Sequence, residues 1–504
     1  MTRTDVVVIG AGLGGLTAGA ILAHDGRRVV VIERSNSVGG AASSYKVGDL
    51  FVEGSLHLTG DPHHPQDPKH AALTRAGALD GVQWIPAGAL YEIRGGPLGT
   101  PFVLPDSLDG ARAALTSRFP DAAAAIDRFL SEMQRLASAA GDGGLDAVFA
   151  LSPEFSDWSV SLADKLQALF GDNEALKCAI AGNLSYVHDD TSQQWWVPFA
   201  IMQGGFLLAG ARFVQGGSQR LSSAIARSIR KAGGDVLLRR FVSGIEIGED
   251  GAASRITHTA RDGGDPQTIE ATTVIGNAAP ATLAAMMPEA QAARLTDSYA
   301  DRPLGLSLFA LTLGLSAPPR EFGVSSFVTQ LLPDWMRTLA SYAEGKALMA
   351  NEPGDRMPPL ALADYAAIDS GVPAPPYVLS VVGPDRLANW SGLSQDDYRA
   401  KRARWQQAII HNLDRLYPGL AGAVTASSFN VAMSVQQYLG APEGSVYGFA
   451  PLPPDGSGKP YRTPRTVLPG LYLASSYSGI GGHSGAIQSA ALCADLILGD
   501  HAAD

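Results

Sequence analysis

The sequence predicts an α/β protein built on a largely parallel sheet, and its first 33 residues are the main reason. Residues 5–9 form a short apolar run typical of a buried parallel strand. A glycine-rich turn and a helix over residues 16–25 follow, and residues 28–32 form a second apolar run. Strand, helix and strand within roughly 30 residues make a βαβ unit. Further strand-like segments between residues 236 and 275 predict that the sheet continues there.

The middle of the chain predicts a second body of different character. Between residues 106 and 200 the pattern becomes helical, with apolar side chains at helical spacing. Residues 304–315 and 377–382 predict core strands, and Ser394 opens a capping pattern before a long amphipathic helix. Because one core rarely extends over 504 residues, we expect two domains or one large body with an insertion.

Composition excludes several classes of protein. Hydrophobic content of 46% and charged content of 17% indicate a globular chain. The net charge is −11, from 38 basic and 49 acidic residues without a basic cluster, so no nucleic-acid partner is expected. Cys178 and Cys493 belong to no metal-binding or disulfide pattern, which predicts no metal site and suits a reducing cytoplasm.

The apolar run over residues 6–23 is the segment that most resembles a signal peptide or a membrane span. Its five glycines and the missing cleavage pattern favour a nucleotide-binding turn instead. No other stretch has the ~20 clean apolar residues that a spanning helix requires. We therefore expect a cytoplasmic protein, with peripheral membrane association as the open alternative.

The strongest motif is Gly10-Ala11-Gly12-Leu13-Gly14-Gly15, which contains G-x-G-x-x-G at positions 10, 12 and 15. The first glycine permits a tight turn, the second admits a pyrophosphate to the backbone, and the third lets helix pack on strand. Phosphates then lie on the helix N-terminus, where amides and dipole favour negative charge. Alone the motif is weak, but here a strand precedes it and a helix follows.

Glu33 ends the second strand, 18 residues after the last glycine of the motif. A carboxylate at this spacing bonds both ribose hydroxyls and repels a 2′-phosphate. The sequence therefore predicts an adenosine cofactor such as FAD or NAD rather than NADP.

The segment after Glu33 carries Arg34, the glycine pair Gly39-Gly40, Ala41 and Ser44. Here the chain resembles the flavin-dependent amine oxidase and phytoene desaturase superfamily, whose members follow the ribose acid with a short loop and paired glycines. The resemblance implies FAD as the cofactor. Many relatives have arginine where this chain has Ala41.

The resemblance returns in three later segments. Residues 216–221 with Val242 are similar to the second FAD segment, where the residue matching Val242 meets adenine through its backbone. Residues 273–278, ending in Ala278, resemble the strand that returns to the cofactor. Residues 470–489 resemble the closing segment, with Ser475, Ser476, Gly482 and Ala486 expected along the ribityl chain and the isoalloxazine ring.

Within the superfamily the chain most resembles phytoene desaturases, carotenoid isomerases and retinol saturases. Residues 52–57 match a segment of the saturase-like branch and place Ser55 beside the cofactor. Residues 438–448 are similar to a Pro-x-Gly-x-x-Tyr-Gly element that contains Tyr447, and residues 119–121 resemble the start of the substrate domain.

The implied fold is a Rossmann-type FAD-binding domain assembled from three segments, plus an α+β substrate domain with a helical subdomain. The expected ranges are 1–89, 206–290 and 430–504 for the FAD domain, and 90–205 and 291–429 for the substrate domain.

Three side chains are candidates for catalysis. His57 and His483 lie in segments expected near the flavin ring and titrate near neutral pH, so either would move a proton during hydride transfer; both also suit packing or flavin positioning. Tyr447 would line the substrate channel or cap the sheet of the flavin domain.

The expected reaction is hydride transfer between FAD and a carbon–carbon bond of a long apolar unsaturated lipid, such as a polyene, a carotenoid or retinoid, or a fatty-acyl chain. Desaturation, saturation and isomerisation all remain open. The apolar stretch at residues 195–208 is interpreted as core, or alternatively as a tunnel wall or membrane-facing surface. Two rival functions are an amine or amino-acid oxidase and a non-catalytic flavin-binding subunit.

Overall fold

The computed structural model describes residues 2–54, 58–248, 251–454 and 463–503. The strands in these ranges are β1 (Thr2–Ile9), β2 (Val29–Ile32), β3 (Ser44–Val47), β4 (Leu50–Glu53), β5 (Thr59–Gly60), β6 (Trp84–Pro86), β7 (Tyr91–Gly95), β8 (Phe102–Leu104), β9 (Ala211–Val214), β10 (Asp235–Leu237), β11 (Phe241–Ile247), β12 (Ala253–Thr259), β13 (Gln267–Gly276), β14 (Ser307–Leu315), β15 (Val328–Leu332), β16 (Leu360–Asp364), β17 (Tyr377–Asp385), β18 (Val424–Asn430) and β19 (Leu471–Leu473).

The helices of the same ranges are α1 (Leu13–His24), α2 (His70–Arg75), α3 (Leu108–Arg118), α4 (Ala123–Ala150), α5 (Leu162–Phe170), α6 (Glu174–Ala181), α7 (Trp196–Ala209), α8 (Ser218–Lys231), α9 (Pro280–Ala284), α10 (Glu289–Asp297), α11 (Tyr342–Gly345), α12 (Gln395–Leu416), α13 (Leu420–Ala423), α14 (Ala432–Leu439) and α15 (Gly482–Ala503).

The first sheet has the order β10-β2-β1-β13-β12-β11, with β19 paired to β13. Its strands β10, β2, β1, β13 and β19 run parallel, as the βαβ pattern predicts. Side chains alternate across it: Val6 and Val8 pack under α1, α8 and α15, while Val7 and Ile9 pack on the opposite face. A parallel sheet buried on both faces requires such continuous apolar strands.

The second sheet has the order β18-β14-β17-β16-β15-β7-β8 and is antiparallel except for the β15–β7 pair. Helix α12 covers one face through Trp405, Ile409 and Leu413, which are fully buried against the strands. The helix starts where predicted, because Ser394 Oγ accepts a hydrogen bond from Asp397 N at 3.2 Å. The opposite face packs against helices between residues 108 and 209.

Helices α3 to α7 form a helical layer over that opposite face. Phe129, Leu130 and Met133 of α4 are buried in one cluster with the residues of α7. Helix α4 kinks at Gly143 and Gly144, whose backbone angles are not helical. The apolar stretch that begins at Trp195 is mostly buried, so its interpretation as core holds for most of its side chains.

Residues 61–68 have the Pro, His and Asp content typical of an irregular surface loop, yet Asp67 forms a buried charge pair with Lys69 just after this segment. Asp67 and Lys69 are 2% and 1% exposed, and their side chains are 2.7 Å apart. An isolated buried charge is costly, but two charges with mutual hydrogen bonds offset much of the desolvation penalty. Loop composition therefore failed to indicate that part of this segment is core.

The strands of the first sheet lie within the ranges assigned to the FAD domain, whereas those of the second sheet lie within the ranges assigned to the substrate domain, apart from the last residue of β18. We propose that the two sheets are the cores of these two domains. Among the described residues, no helix combines the length and apolarity needed to cross a membrane.

A pH dependence of stability is expected from Asp364, at the end of β16. The side chain is 1% exposed, and burial raises its pKa to about 6. Because the folded pKa lies above the unfolded value of ~3.9, the native state binds more protons between the two values. Asp364 therefore favours folding most below about pH 4, and this contribution is lost as the pH rises through about 6.

Asp364→Asn should thus gain stability relative to the wild type as the pH rises from 4 to 6.5, by about 2–3 kcal/mol. Thermal unfolding of both proteins across this pH range measures the difference. Parallel curves for the two proteins would contradict the expected pKa.

Candidate functional site

Chain segments from opposite ends of the sequence meet at the carboxyl edge of the first sheet. Gly10 N donates to Ile32 O at 2.9 Å, so the glycine turn continues the pairing of β1 with β2. On the other side, Asn277 N donates to Ile9 O at 2.8 Å. The Asn277 amide then donates to Ala474 O, just past β19. The edge is therefore formed by the N-terminal motif, the end of β13 and the C-terminal segment together.

The glycines of the motif allow this close approach. A Cβ on Gly14 would lie 2.8 Å from the carbonyl carbon of Ala474, and a Cβ on Gly15 would lie 2.8 Å from Asn277 Cβ. A Cβ on Gly12 would overlap Asn277 Oδ1. Gly10 has φ +98°, a backbone conformation that L side chains rarely adopt, so this position also favours glycine. Each motif glycine is thus required by a specific neighbour.

The donor set at this edge fits a dinucleotide. Helix α1 begins without a side-chain cap and without an acidic residue in its first turn, so its N-terminal amides suit a phosphate. Glu33 is 8% exposed, and its carboxylate accepts hydrogen bonds from Ala11 N and Ser35 N, both at 2.8 Å. These bonds hold the carboxylate beside the glycine turn, where a ribose hydroxyl donor is expected.

The segment after Glu33 crosses in front of the glycine turn. Gly39 N donates to Ala11 O at 2.7 Å, and a Cβ on Gly40 would lie 3.4 Å from Gly12 Cα. Ala41 is exposed. Arg34 donates to Tyr438 O at 2.6 Å, so its guanidinium ties this segment to the end of α14. The cofactor contacts assigned to these residues stay predictions.

Glu53 joins the segments that flank the cofactor edge. It is 3% exposed, and its carboxylate accepts hydrogen bonds from Ser44 Oγ at 2.7 Å and from Ser218 N at 2.9 Å; Ser218 Oγ also donates to it. Ser218 is the first residue of α8, so Glu53 satisfies a helix N-terminus. Ser44, predicted at the cofactor, thereby also contacts the end of β4.

The remaining predicted cofactor residues lie around this edge. Arg240 N, two residues before Val242, donates to Glu33 O at 2.9 Å, which places the start of β11 beside the ribose acid. Ala278 follows Asn277 at the end of β13 and is partly buried. Ala486 lies in the second turn of α15, on the sheet-facing side.

The closing segment turns sharply before α15. Ser475 is buried, and its Oγ accepts from Tyr477 N at 3.3 Å while its carbonyl accepts from Ser478 Oγ at 3.0 Å. Ser476 lies against Gly448, where a Cβ would reach 2.6 Å from the Ser476 carbonyl carbon. Gly482, with φ +81°, begins α15. Its location at a helix start without an acidic residue in the first turn suits a cofactor oxygen.

Of the three catalytic candidates, the structure brings two together at the start of α15. His57 and Ser55 lie outside the described residues. His483 is the second residue of α15 and is half-buried. Tyr447 packs on the same segment, since a Cβ on Gly481 would lie 2.6 Å from Tyr447 Cβ. Burial raises the pKa of Tyr447 to about 12, so its phenol stays protonated at neutral pH.

A small apolar cleft of about 10 Å³ lies between the helical layer and this segment. It is lined by α4, by the start of α7 and by Ile480, the residue before Gly481. A strip of apolar side chains thus leads from the kinked end of α4 toward the closing segment. All of the side chains that line this cleft are apolar.

The family model described as flavin containing amine oxidoreductase matches residues 13–498. The chain belongs to this family. The cofactor is therefore FAD, as the segments after Glu33 and before α15 predicted, and the chain is a flavin-dependent oxidoreductase.

Curated relatives cover nearly the whole chain. The all-trans-retinol 13,14-reductase of Macaca fascicularis is 24% identical over 540 aligned positions, covering 98% of this chain and 86% of the relative. The human enzyme is also 24% identical, with the same coverage. A chloroplastic prolycopene isomerase of Daucus carota is 23% identical, and the alignment covers 98% of this chain and 80% of the isomerase.

Solved structures confirm the predicted fold of this flavoprotein. An oxidoreductase from Methanosarcina mazei superposes with a TM-score of 0.64 at 17% identity, covering 98% of this chain and 100% of that one. A putrescine oxidase bound to putrescine gives 0.64 at 18% identity, covering 99% of both chains.

Sequence reasoning missed two groups in the flavin domain. Asn277 was part of a recognised strand, but its amide gave no signal because its partner, Ala474, is almost 200 positions away. Glu53 also stood in a recognised segment, and an acid after the apolar run Leu-Phe-Val was the available sign that it would be buried. Both act through contacts between distant segments.

The close packing of Gly14 leads to a test. Gly14→Ala should lower both the amount of FAD retained on purification and the melting temperature, because the added Cβ meets backbone atoms that cannot rotate away. Flavin absorbance per protein and thermal unfolding measure the two effects.

Gly19→Ala on the same helix is the matched control. Its Cβ would lie 3.4 Å or more from every neighbour, and alanine favours a helix interior by ~1 kcal/mol over glycine. Equal flavin retention in the two variants would contradict the packing argument.

Proposed function

We propose that this flavoenzyme transfers hydride between FAD and a carbon–carbon bond of a long apolar unsaturated chain. The observation that carries the proposal is the apolar surface that α4 and α7 present to Ile480, a residue of the closing segment of the flavin domain. The retinol reductases and the prolycopene isomerase among the relatives support a polyene substrate through the reactions in their names.

The residues that would hold FAD follow from the edge described above. The glycine turn and the N-terminal amides of α1 would bind the pyrophosphate, and Glu33 the ribose. The N-terminus of α15 at Gly482 would face the flavin end. When bound, FAD supplies a hydride acceptor or donor at N5.

Tyr447 would supply or hold a proton at the substrate. Its raised pKa of about 12 keeps the hydroxyl protonated, so the side chain donates a hydrogen bond and does not serve as a base at neutral pH. His483 and His57 remain proposed acid–base groups.

The protein also excludes water from the reaction. Trp196 and Phe199 of α7 are fully buried beside the cleft, and the kinked α4 packs against them. A dry, apolar environment keeps solvent away from a reduced flavin and a polyene intermediate. Cytoplasmic location, peripheral membrane association and the lack of a nucleic-acid partner stay predictions.

The second sheet gives little support to the rival amine oxidase. An amine oxidase of this superfamily is expected to have a lysine near flavin N5, whereas the strands β14 to β18 contain no lysine. The buried lysines elsewhere, such as Lys165 and Lys401, bind carboxylates or backbone carbonyls of the substrate domain.

Anaerobic flavin spectra distinguish the candidates. The reduced enzyme mixed with all-trans-retinol should regain oxidised-flavin absorbance, or the oxidised enzyme should be bleached by a more saturated chain, whereas putrescine should do neither. Lipid mass spectrometry identifies the product. Bleaching by putrescine alone would establish the amine oxidase, whereas an unchanged flavin together with unchanged lipid for every polyene tested would indicate a non-catalytic subunit.

Tyr447→Phe should lower turnover by about 100-fold or more while FAD occupancy stays unchanged, since positioned acids contribute about 10²- to 10⁴-fold. Tyr417→Phe is the matched control. Tyr417 is 1% exposed and has its pKa raised to about 12, but it lies in the core on the α12 side of the second sheet. Equal turnover of the two variants would remove Tyr447 from the reaction.

A further inference from the structure

Asn277 lies against all four glycines of the N-terminal motif. The Asn277 carbonyl oxygen would be 3.0 Å from a Cβ placed on Gly10, and Asn277 Cβ would be 2.8 Å from one placed on Gly15. The amide nitrogen would be 2.8 Å from a Cβ on Gly14, and Oδ1 would overlap one on Gly12. The motif therefore accommodates this asparagine as well as the approach of a pyrophosphate.

The Asn277 side chain also holds the start of the closing segment. Asn277 Nδ2 donates to Ala474 O, and Ala474 N donates to Gly276 O at 3.0 Å. Both polar backbone groups of Ala474 are thus bonded to consecutive residues at the end of β13. Ala474 directly precedes Ser475 and Ser476, which the sequence predicts at the flavin end of the cofactor.

The turn after Ala474 is tied in turn to α15. Ser475 N donates to Ser478 Oγ at 3.2 Å, and Ser478 Oγ lies 2.6 Å from Ser489 Oγ on α15. Ser475 and Ser489 are both buried. Because a satisfied buried network is rigid, a shift of Ala474 would displace this turn relative to the helix.

Apolar packing holds the neighbouring helices but does not orient this turn. Leu16 of α1 and Ile487 of α15 are fully buried in one cluster. Apolar burial has no preferred direction, whereas the hydrogen bond from Asn277 joins one donor to one carbonyl at a defined distance and angle. The amide therefore fixes the register between the glycine turn and the closing segment.

We propose that Asn277 is a positioning residue that couples the two halves of the FAD site. Its amide holds the closing segment, expected at the flavin half, in register with the glycine turn, expected at the ADP half. The flavin half of FAD then adds its full share of the affinity only while this amide is present. The coupling concerns the cofactor and is independent of the substrate.

The test compares the binding of FAD with that of ADP, which contains adenosine and the pyrophosphate but lacks the ribityl chain and the flavin. Calorimetry on the apoprotein gives both dissociation constants, and the ratio of the ADP constant to the FAD constant measures what the flavin half adds. Asn277→Ala should lower the affinity for FAD roughly 5- to 100-fold, the effect of one lost hydrogen bond. The affinity for ADP should change much less.

Asn277→Asp is a second variant that keeps the shape of the side chain and removes the donor. Its carboxylate would face the Ala474 carbonyl, so the ratio should fall at least as far as in Asn277→Ala. Repulsion between this carboxylate and the pyrophosphate affects FAD and ADP alike and largely cancels in the ratio. Displacement of FAD from the holoprotein by ADP gives the same ratio without isolation of the apoprotein.

Thr4→Val is the matched control. Thr4 is 3% exposed, and its Oγ1 donates to Arg28 O at 2.6 Å. This bond also joins a side chain to a backbone carbonyl in the first sheet, but it lies near the amino ends of β1 and β2, away from the cofactor edge. Thr4→Val should lower the melting temperature and leave the ratio unchanged.

Three results would overturn the coupling. Equal losses of FAD and ADP affinity in both Asn277 variants would mean that the side chain only stabilises the glycine turn. Unchanged affinities for both ligands would mean that the amide has no role in cofactor binding. An equal fall of the ratio in Thr4→Val would mean that any hydrogen bond lost from this sheet has the same effect.

Discussion

The close approach of Gly14 to the carbonyl of Ala474 is the constraint on which the rest of this structure depends. It brings a helix from the first residues of the chain against a segment near its end, with Asn277 between them. Only a backbone without Cβ allows this distance. Among the described residues no side chain caps the N-terminus of α1, and its amides are what a pyrophosphate requires.

The second sheet completes the site by a different principle. Its α12 face is a conventional apolar core, with Trp405 and Leu413 packed on leucine and valine side chains. Its other face combines alanines with Gln330 and Ser380 and is buried on the side of the helical layer. An enzyme on an apolar chain needs mostly dispersion contacts, and a few polar groups then determine orientation and specificity.

The sequence predicted more of the flavin domain than of the substrate domain. The spacing of Gly10, Gly12 and Gly15 before Glu33 indicates its function locally, because the turn, the helix and the acid are all contributed by one βαβ unit. Gln330 stands in the apolar strand Val-Thr-Gln-Leu-Leu, where nothing distinguishes it from its neighbour Thr329. Which face of the sheet each of the two residues occupies depends on the pairing with β16, about 30 residues later.

By itself, the sequence determined the parallel sheet, the adenosine-binding turn and, through family resemblance, FAD as the cofactor. These features rest on short-range patterns in which residue type and spacing are sufficient. The tertiary structure decided that Glu53 joins β3, β4 and α8, that Asp67 and Lys69 are buried together, and that Tyr186 lies beside Tyr447 and Gln330. Such contacts join segments far apart in sequence, and only the packing of whole layers brings them together.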